Sequence, residues 1–247
     1  MKKLIILSLL IVAGQVAAWG QTVNIHMKDG SVLKYDASGV DYVNFTAAST
    51  TPDEHEAVDL GLPSGLKWAT CNVGATKPEE GGGFYAWGEV AEKDTYDWKT
   101  YKWCEDGSYS KLTKYNENVD VYTLEPEDDA AHVLWGGSWR MPTREEFEEL
   151  FSKCTRKFTT QNEVRGLLVT GPNGNSIFLP FAGYNGGAQV QWTSNRGYWW
   201  TRNGNYGNRT MGYAFYSQYD QGRTYVNGQI SRDDGLNIRP VTDADAK

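Results

Sequence analysis

The sequence contains few of the residues on which metal, redox and nucleophilic chemistry usually depend. It has three cysteines and three histidines among 247 residues. The C-terminal tract from Tyr184 to Arg239 has no Lys, Glu, Cys or His at all. That tract therefore lacks most of the side chains that act as general bases, nucleophiles or metal ligands. This composition favours a binding surface over a catalytic centre.

The small number of cysteines also limits covalent cross-linking. Cys71, Cys104 and Cys154 permit one disulfide in an oxidising compartment and leave one thiol over. The spacing does not choose among the three pairings. A catalytic thiol would require a nearby histidine, so we expect buried or bridged structural cysteines.

After the N-terminus, no segment is apolar over the length needed to span a membrane. Two lysines precede the apolar run Leu4–Ala13, and small residues at 16–18 offer a cleavage site, which predicts a secretory signal peptide over residues 1–20. The run is well short of the about 20 apolar residues of a spanning helix. Because the first cysteine is Cys71, we expect no lipoprotein anchor. We predict export through the Sec pathway to the periplasm, the outer cell surface or the extracellular space, with no membrane insertion after cleavage.

The chain is acidic, with a formal net charge of -7 and a pI near 5.1. Nucleic acids and anionic membranes are therefore not expected as partners, because phosphate binding requires concentrated Lys and Arg. The C-terminal tract differs, since it has six arginines against Asp220, Asp233 and Asp234. Together with many aromatic residues, Asn and Gly, these arginines supply stacking faces and hydrogen-bond donors.

Period-two apolarity marks the first segment expected in the mature chain. Val23, Ile25 and Met27 alternate before Asp29-Gly30, and apolar residues resume at Val32, which predicts a β-hairpin. Such a strand pair is too small to stand alone in water, which favours docking on the main domain or pairing with another chain. We assign residues 21–47 to this hairpin module, 48–57 to a polar linker, 58–241 to the main domain and 242–247 to a polar tail.

The main domain is expected to combine two helices with many short strands. A capping-box spacing at Thr143 and Glu146, followed by apolar residues at helical spacing, predicts one helix. A shorter helix is predicted over Pro126 to Leu134. Further strands and turns are predicted at Leu167–Val169 and Ile177–Leu179 around the turn 171–174, at Tyr213, Phe215, Ser217 and Tyr219 before the turn 220–222, and at Leu236, Ile238 and Val241.

Several segments of the main domain together resemble a known family. In order, they are VDLGLPSGLKWATCNVGAT (58–76), FYAWGEV (84–90), LEPEDDAAHVLWGGSWRMPTREEFEEL (124–150), GNSIFLPFAGY (174–184) and GLNIRPV (235–241). They resemble the Fibrobacter succinogenes major paralogous domain of secreted Bacteroidota proteins, over nearly all of 58–241. That family is similar to the C-type-lectin-like folds, which include formylglycine-generating enzymes. The resemblance implies an α+β, C-type-lectin-like domain with two helices and short mixed or antiparallel sheets, preceded by a small β-hairpin module.

The resemblance also allows enzymatic alternatives to be compared residue by residue. Formylglycine-generating enzymes hold copper with two cysteines late in the domain, whereas no cysteine follows Cys154 here. Related iron-dependent enzymes need several histidines, and His132 is the only one in the main domain. Asp128 and His132 are four residues apart on the predicted shorter helix, where a structural pair is expected rather than a catalytic one. We therefore expect no enzymatic activity and no cofactor.

Calcium is the one metal with weak candidate ligands. Hard cations bind carboxylate and carbonyl oxygens, so Asp128 with Asp129, or Asp233 with Asp234, could hold Ca²⁺. The first pair also fits the start of a helix and the second fits a turn. We expect these structural roles.

We expect a ligand surface in the C-terminal tract. Strand alternation assigns Trp199 or Trp200 to the core. The segment RNGNYGNR at 202–209 has no aliphatic residue, which predicts an exposed loop that binds the ligand together with the segment 218–229. The expected ligand-binding residues are Tyr184, Asn185, Trp192, Arg196, Tyr198, Arg202, Asn203, Asn205, Tyr206, Asn208, Arg209, Gln218, Tyr219, Arg223, Tyr225 and Asn227.

These observations predict a secreted or cell-surface, adhesin-like recognition module that binds a glycan or a protein through its C-terminal loops. The alternative is a structural or assembly subunit whose N-terminal hairpin pairs with a strand of a partner. A third hypothesis is an enzyme of unknown mechanism on the same fold. In place and composition, the tract also resembles the altered region of the variable proteins of diversity-generating retroelements. The gene's codons and an adjoining near-repeat would decide whether it is diversified.

Overall fold

The chain divides into two compact units, Met1–Ala48 and Ser49–Lys247. The computed structural model describes residues 22–26, 32–36, 55–116 and 122–243, the first two ranges by backbone alone. In the first unit, β1 (Thr22–His26) pairs antiparallel with β2 (Val32–Asp36), which confirms the predicted hairpin. The predictions for the signal peptide, most of the linker and the end of the tail fall outside the described residues.

The second unit is α+β, with short antiparallel sheets and two α-helices among the described residues. None of the described helices has the length and apolar character needed to cross a membrane. The helices are α1 (Ala130–Trp135) and α2 (Arg144–Lys153), and the strands are β3 (Ala57–Asp59), β4 (Lys67–Ala69), β5 (Thr155–Gln161), β6 (Val164–Thr170), β7 (Ser176–Pro180), β8 (Tyr184–Gly186), β9 (Gln189–Gln191), β10 (Arg196–Gly204), β11 (Met211–Gln218), β12 (Arg223–Ser231) and β13 (Val241–Thr242).

The described residues of this unit form four small sheets. Their strand orders are β13-β4-β3, β5-β6-β7, β8-β9 and β10-β11-β12. The β6-β7 hairpin around the turn 171–174 confirms the prediction from its turn residues. The predicted final strand is shorter than expected, because only Val241 and Thr242 pair with β4, while Leu236 makes an isolated bridge to Tyr85.

Helix α2 confirms the strongest local signal of the sequence. The Thr143 hydroxyl accepts a hydrogen bond from the Glu146 amide at 3.1 Å, and the Glu146 carboxylate accepts one from the Thr143 amide at 2.7 Å. This capping box satisfies amide groups that have no partner within the first helical turn. The apolar face of α2, with Phe147, Leu150 and Phe151, is buried in the core.

The shorter predicted helix is interrupted. Pro126–Asp128 forms a 3₁₀ turn, and α1 begins only after Asp129, which has extended backbone angles. The Asp129 carboxylate accepts hydrogen bonds from the amides of Ala131 at 3.0 Å and His132 at 3.2 Å. Asp129 therefore caps α1 and separates it from the preceding 3₁₀ turn. The spacing of apolar residues alone would predict one continuous helix.

Both faces of the sheet β10-β11-β12 are covered by core residues. On one face, Trp199 and Phe215 pack in a cluster with Phe147 of α2. On the other face, Trp200 packs in a second cluster that includes Trp87. Trp199 and Trp200 each have 0% exposure, so the prediction that only one of them is in the core was wrong. Alternation along a strand distinguishes buried from exposed side chains only when one face of the strand is exposed to solvent.

The three cysteines form no disulfide. Cys71, Cys104 and Cys154 are all free thiols, and only Cys154 is buried. The Cys104 thiol donates a hydrogen bond to the Trp98 carbonyl at 2.8 Å. The disulfide that the sequence permits is therefore not part of this structure.

A buried guanidinium joins the C-terminal segment to two sheets. Arg239 has 0% exposure and donates to the carbonyls of Ala69, Thr70 and Phe178 and to the Asn72 side chain. Burial lowers the pKa of Arg239 to about 9, so the group remains charged at neutral pH. No ion pair involves it within the described residues.

We predict that Arg239→Ala lowers the free energy of unfolding by at least about 3 kcal/mol, because several buried oxygens lose their hydrogen-bond donor together. Arg223→Ala is the matched control, since it removes the same charge from an exposed position and should change stability by no more than about 0.5 kcal/mol. Urea unfolding followed by tryptophan fluorescence measures both. Equal effects of the two substitutions would contradict the prediction.

Candidate ligand-binding site

Four tyrosines form a continuous row at the edge of the second core cluster. Tyr184 contacts Tyr198 at 5.1 Å between ring centroids, Tyr198 stacks on Tyr216 at 5.4 Å, and Tyr216 stacks on Tyr225 at 4.4 Å. The strand register explains this order, because Tyr198 and Tyr216 are cross-strand partners and Tyr216 is also the partner of Tyr225. We call these four residues the tyrosine row.

A cleft lies at each end of the tyrosine row. The first, of about 240 Å³, contains Tyr184 and Tyr198 and is called the Arg196 cleft. The second, of about 320 Å³, contains Tyr216 and Tyr225 and is called the β12 cleft. The other residues of the Arg196 cleft are Trp192, Arg196, Gln229, Ile230, Ser231 and Asp234, and those of the β12 cleft are Thr224, Val226, Asn227 and Gly228.

Arg196 is held against an exposed tryptophan. Its guanidinium carbon lies 3.9 Å from the ring centroid of Trp192, which is 49% exposed. The Trp192 backbone has φ 60° and its carbonyl accepts a hydrogen bond from the Arg196 amide at 3.0 Å, so a tight turn places the ring beside the guanidinium. Stacking on an aromatic face leaves the edge of a guanidinium free to donate hydrogen bonds.

The Arg196 side chain has few internal partners. Nη1 donates a long hydrogen bond of 3.4 Å to the Tyr198 hydroxyl, and Nε is buried without any hydrogen-bond partner. No carboxylate within the described residues forms an ion pair with it. The cleft therefore contains a cation that has unused donors.

Asp234 contributes a carboxyl group to the same cleft. Burial, followed by repulsion from Asp233, raises the pKa of Asp234 to about 7. Burial and then Asp234 raise the pKa of the Tyr184 hydroxyl, whereas Arg196 lowers it. The pKa of Tyr184 thus depends on both Asp234 and Arg196. The carboxyl group changes its charge near neutral pH, while the guanidinium stays positive.

Six of the sixteen expected ligand residues lie in the two clefts. They are Tyr184, Trp192, Arg196, Tyr198, Tyr225 and Asn227. The sequence did not identify Tyr216 as a site residue, and it considered Asp234 only for calcium. A bulge between Ala214 and Tyr216 shifts the register of β11 against β12. That shift places Tyr216 in the row, and no local sequence signal marks it.

Most of the other expected residues have internal roles. The predicted loop 202–209 is wrong in part, because Arg202 and Asn203 belong to β10 and Asn205 is only 4% exposed. Arg202 donates to the Leu124 carbonyl, Asn203 accepts from the Arg144 amide, and Asn205 accepts from the amides of Gly207 and Asn208. Asn185 pairs with Gly235 through its backbone, and Gln218 is 8% exposed. Tyr219 packs against Phe158 and Phe181. Arg223 is the exception, because it is exposed at the start of β12.

The remaining expected residues, Tyr206, Asn208 and Arg209, line a third cleft of about 610 Å³. Tyr206 contacts Tyr122 at 3.6 Å between ring centroids, and the Arg209 guanidinium lies 3.6 Å from the same ring. Tyr122 adjoins residues 117–121, which the structure does not describe. We therefore place no site there.

Three of the four aspartates considered for calcium have protein partners, and the fourth, Asp234, lines the Arg196 cleft. Asp128 accepts from the Tyr115 hydroxyl at 2.7 Å and from the Lys114 ammonium at 2.6 Å. His132 faces the Trp139 carbonyl at 3.2 Å, so the expected pair of Asp128 with His132 is not formed. Asp129 caps α1, and Asp233 accepts a hydrogen bond from the Ser231 hydroxyl. No group of three or more metal-ligating side chains was found in the part of the chain that the structure describes.

We predict that stability falls as pH rises from about 4 to 7. The pKa of Asp234 is raised from its ordinary value of 3.8 to about 7, so within this window the folded protein retains a proton that the unfolded chain has released. The Asp234→Asn variant should show a shallower fall, and Asp129 and Asp233 should contribute to the rest because burial also raises the pKa of each. Unfolding in urea at a series of pH values tests this. The same slope in the variant and the wild type would contradict it.

No family model, curated protein or solved structure matches this chain. The family suggested by its sequence motifs therefore remains a prediction. The described residues nevertheless show an α+β unit in which the tyrosine row joins two surface clefts.

Proposed function

We propose that this protein is a non-catalytic recognition module that binds a glycan along the tyrosine row. The observation that carries the proposal is the continuous contact from Tyr184 through Tyr198 and Tyr216 to Tyr225, with a cleft at each end. Because Tyr198 is only 5% exposed, an extended ligand would meet aromatic surface in the two clefts at the ends of the row. Its rings are fixed by packing in the core before a ligand arrives, which lowers the entropy cost of binding.

The chemistry of the clefts favours a saccharide over a protein surface. Sugar rings have an apolar face and a rim of hydroxyls, and they therefore suit aromatic side chains that stand beside amides, hydroxyls and a guanidinium. Both clefts mix these groups, with Gln229 and Ser231 in one and Thr224 and Asn227 in the other. A large flat apolar patch, which is typical of stable protein interfaces, is not needed for such a ligand.

The proposal extends to the fold and the location. The order of the motifs and the α+β architecture support a C-type-lectin-like domain of the family that the sequence resembles. The N-terminal signal pattern supports export to the periplasm, the cell surface or beyond. A glycan-binding role is consistent with such a location, where polysaccharides are abundant ligands.

We predict that Trp192→Ala and Tyr225→Ala each weaken glycan binding about tenfold, because each removes an aromatic face from one cleft. A glycan array identifies the ligand, and calorimetry then gives the dissociation constants with and without a calcium chelator. Tyr109→Ala is the control, since Tyr109 is 62% exposed and lies outside both clefts. Failure of the wild type to bind any glycan, or normal binding by both variants, would contradict the proposal. Capture of a protein ligand through the same residues would show that the site binds protein and not glycan.

A second candidate function is assembly through the N-terminal hairpin. Within the described residues, β1 and β2 pair only with each other, so each strand has one open edge. A two-stranded sheet of this size is marginal alone, and an added strand from a partner would stabilise it.

We predict that deleting residues 21–47 abolishes assembly but leaves the dissociation constant for the glycan unchanged. Light scattering of the purified chain, alone and with a cell-envelope fraction, measures assembly. Trp192→Ala serves as the complementary control, because it should affect only glycan binding. Assembly that persists after the deletion would contradict this second function.

A further inference from the structure

We propose that the Arg196 cleft recognises a carboxylate-bearing sugar of the uronic acid class, whose carboxylate pairs with the Arg196 guanidinium. This inference rests on the proposed glycan-binding function and adds the chemical class of the ligand. It places the charged group of the sugar at one end of the tyrosine row, with the following units extending towards Tyr216 and Tyr225.

The position of Arg196 supports an anionic ligand. The guanidinium is stacked 3.9 Å from the Trp192 ring centroid, and Nε is buried without a partner. A planar guanidinium that is already oriented by stacking can donate two parallel hydrogen bonds to a carboxylate. Nε of Arg144, Arg202 and Arg232 is also buried without a partner, so the support for an anionic ligand comes from the stacked orientation of Arg196 and from its position in a cleft.

Arg209 also lies against an aromatic ring in a cleft, but that ring is Tyr122, beside residues that the structure does not describe. The other four arginines of the tract do not offer the same chemistry as Arg196. The Arg202, Arg232 and Arg239 side chains each donate to backbone carbonyls inside the fold. Arg223 is exposed and lies in neither cleft. In contrast to these four, Arg196 combines a fixed orientation, an open cleft and an exposed aromatic neighbour.

Asp234 makes ligand binding in the Arg196 cleft depend on pH. The charged and titratable groups around it are Asp233, Tyr184, Tyr198 and Arg196. Because its pKa is raised to about 7, Asp234 is largely neutral in mildly acidic solution and largely ionised in mildly alkaline solution. The neutral acid can donate a hydrogen bond to a sugar oxygen, whereas the ionised form repels a ligand carboxylate.

The competing reading is an amino sugar whose ammonium pairs with Asp234. That ligand would bind more tightly as pH rises and Asp234 ionises, which is the opposite trend. It would also leave the Arg196 donors unused. The direction of the pH dependence therefore separates the two ligand classes.

The test compares a short oligogalacturonate with its uncharged methyl ester, using calorimetry on the full chain at pH 5.5 and 8.5. We expect the wild type to bind the acid at least about tenfold more tightly than the ester at pH 5.5, as a charge-assisted hydrogen bond to an arginine allows. Arg196→Ala should lose that preference and Arg196→Lys should retain part of it. Lys157→Ala removes a positive charge from an exposed position of β5 that lies in neither cleft, and it should bind like the wild type.

The pH arm uses Asp234→Asn. The wild type should bind the acid about tenfold more weakly at pH 8.5 than at pH 5.5, because two negative charges then share the cleft. The Asn variant should bind equally at both pH values and therefore more tightly than the wild type at pH 8.5. A variant that merely lost structure would bind more weakly at both.

The outcomes separate the two proposals. Equal binding of acid and ester, or unchanged acid preference in Arg196→Ala, overturns the uronic acid inference and leaves glycan binding intact. Binding only of an unrelated neutral glycan, lost in Trp192→Ala, has the same meaning. Absence of binding to every glycan overturns both proposals. Melting temperatures of all variants within a few degrees of the wild type confirm that the comparison concerns folded protein.

Discussion

The buried guanidinium of Arg239 is the interaction on which the rest of the second unit depends. It joins the carbonyls of Ala69 and Thr70, at the end of β4, to the carbonyl of Phe178 in β7 and to the side chain of Asn72. A charge in such a place is stable only if surrounding oxygens replace water, so these segments must meet in one geometry. The apolar clusters supply much of the stabilisation, and this group restricts how they can be arranged.

Asn72 extends that restriction to the site. Its Oδ1 accepts from Arg239 at 2.8 Å and from the Trp199 indole at 3.3 Å, and its amide donates to the Gly81 carbonyl at 2.7 Å. Trp199 is in β10, directly beside Tyr198 of the tyrosine row. The indole of Trp200 is fixed as well, by a hydrogen bond of 2.7 Å to the Tyr85 carbonyl. The strand that presents Tyr198 is therefore held from both faces.

The features that the sequence predicted are those that local chemistry determines. The capping box of α2 and the turn of the β6-β7 hairpin each lie within a few consecutive residues, and both were confirmed. The two-sided burial of β10 was missed, because it depends on segments more than 100 residues apart in the chain, such as Trp87 and Thr201. Asn205 was expected to contact ligand, yet its side chain organises the loop that contains it. Polar composition does not distinguish a loop whose side chains contact a ligand from a loop whose side chains hydrogen-bond its own backbone.

The arrangement of charge separates structural arginines from the one at the site. The structural guanidinium groups donate hydrogen bonds to backbone carbonyls, which are fixed parts of the fold. These groups are those of Arg202, Arg232 and Arg239. Arg196 instead rests on an exposed ring and has a single long bond to a phenol. Asp234 in the same cleft has no ion pair within the described residues. Arg202 and Arg232 also leave Nε buried without a partner, so the difference lies in the surroundings of Arg196. Its guanidinium shares a cleft with an exposed ring and with an acid that has no ion pair among the described residues, which is the charge pattern expected of the proposed binding site.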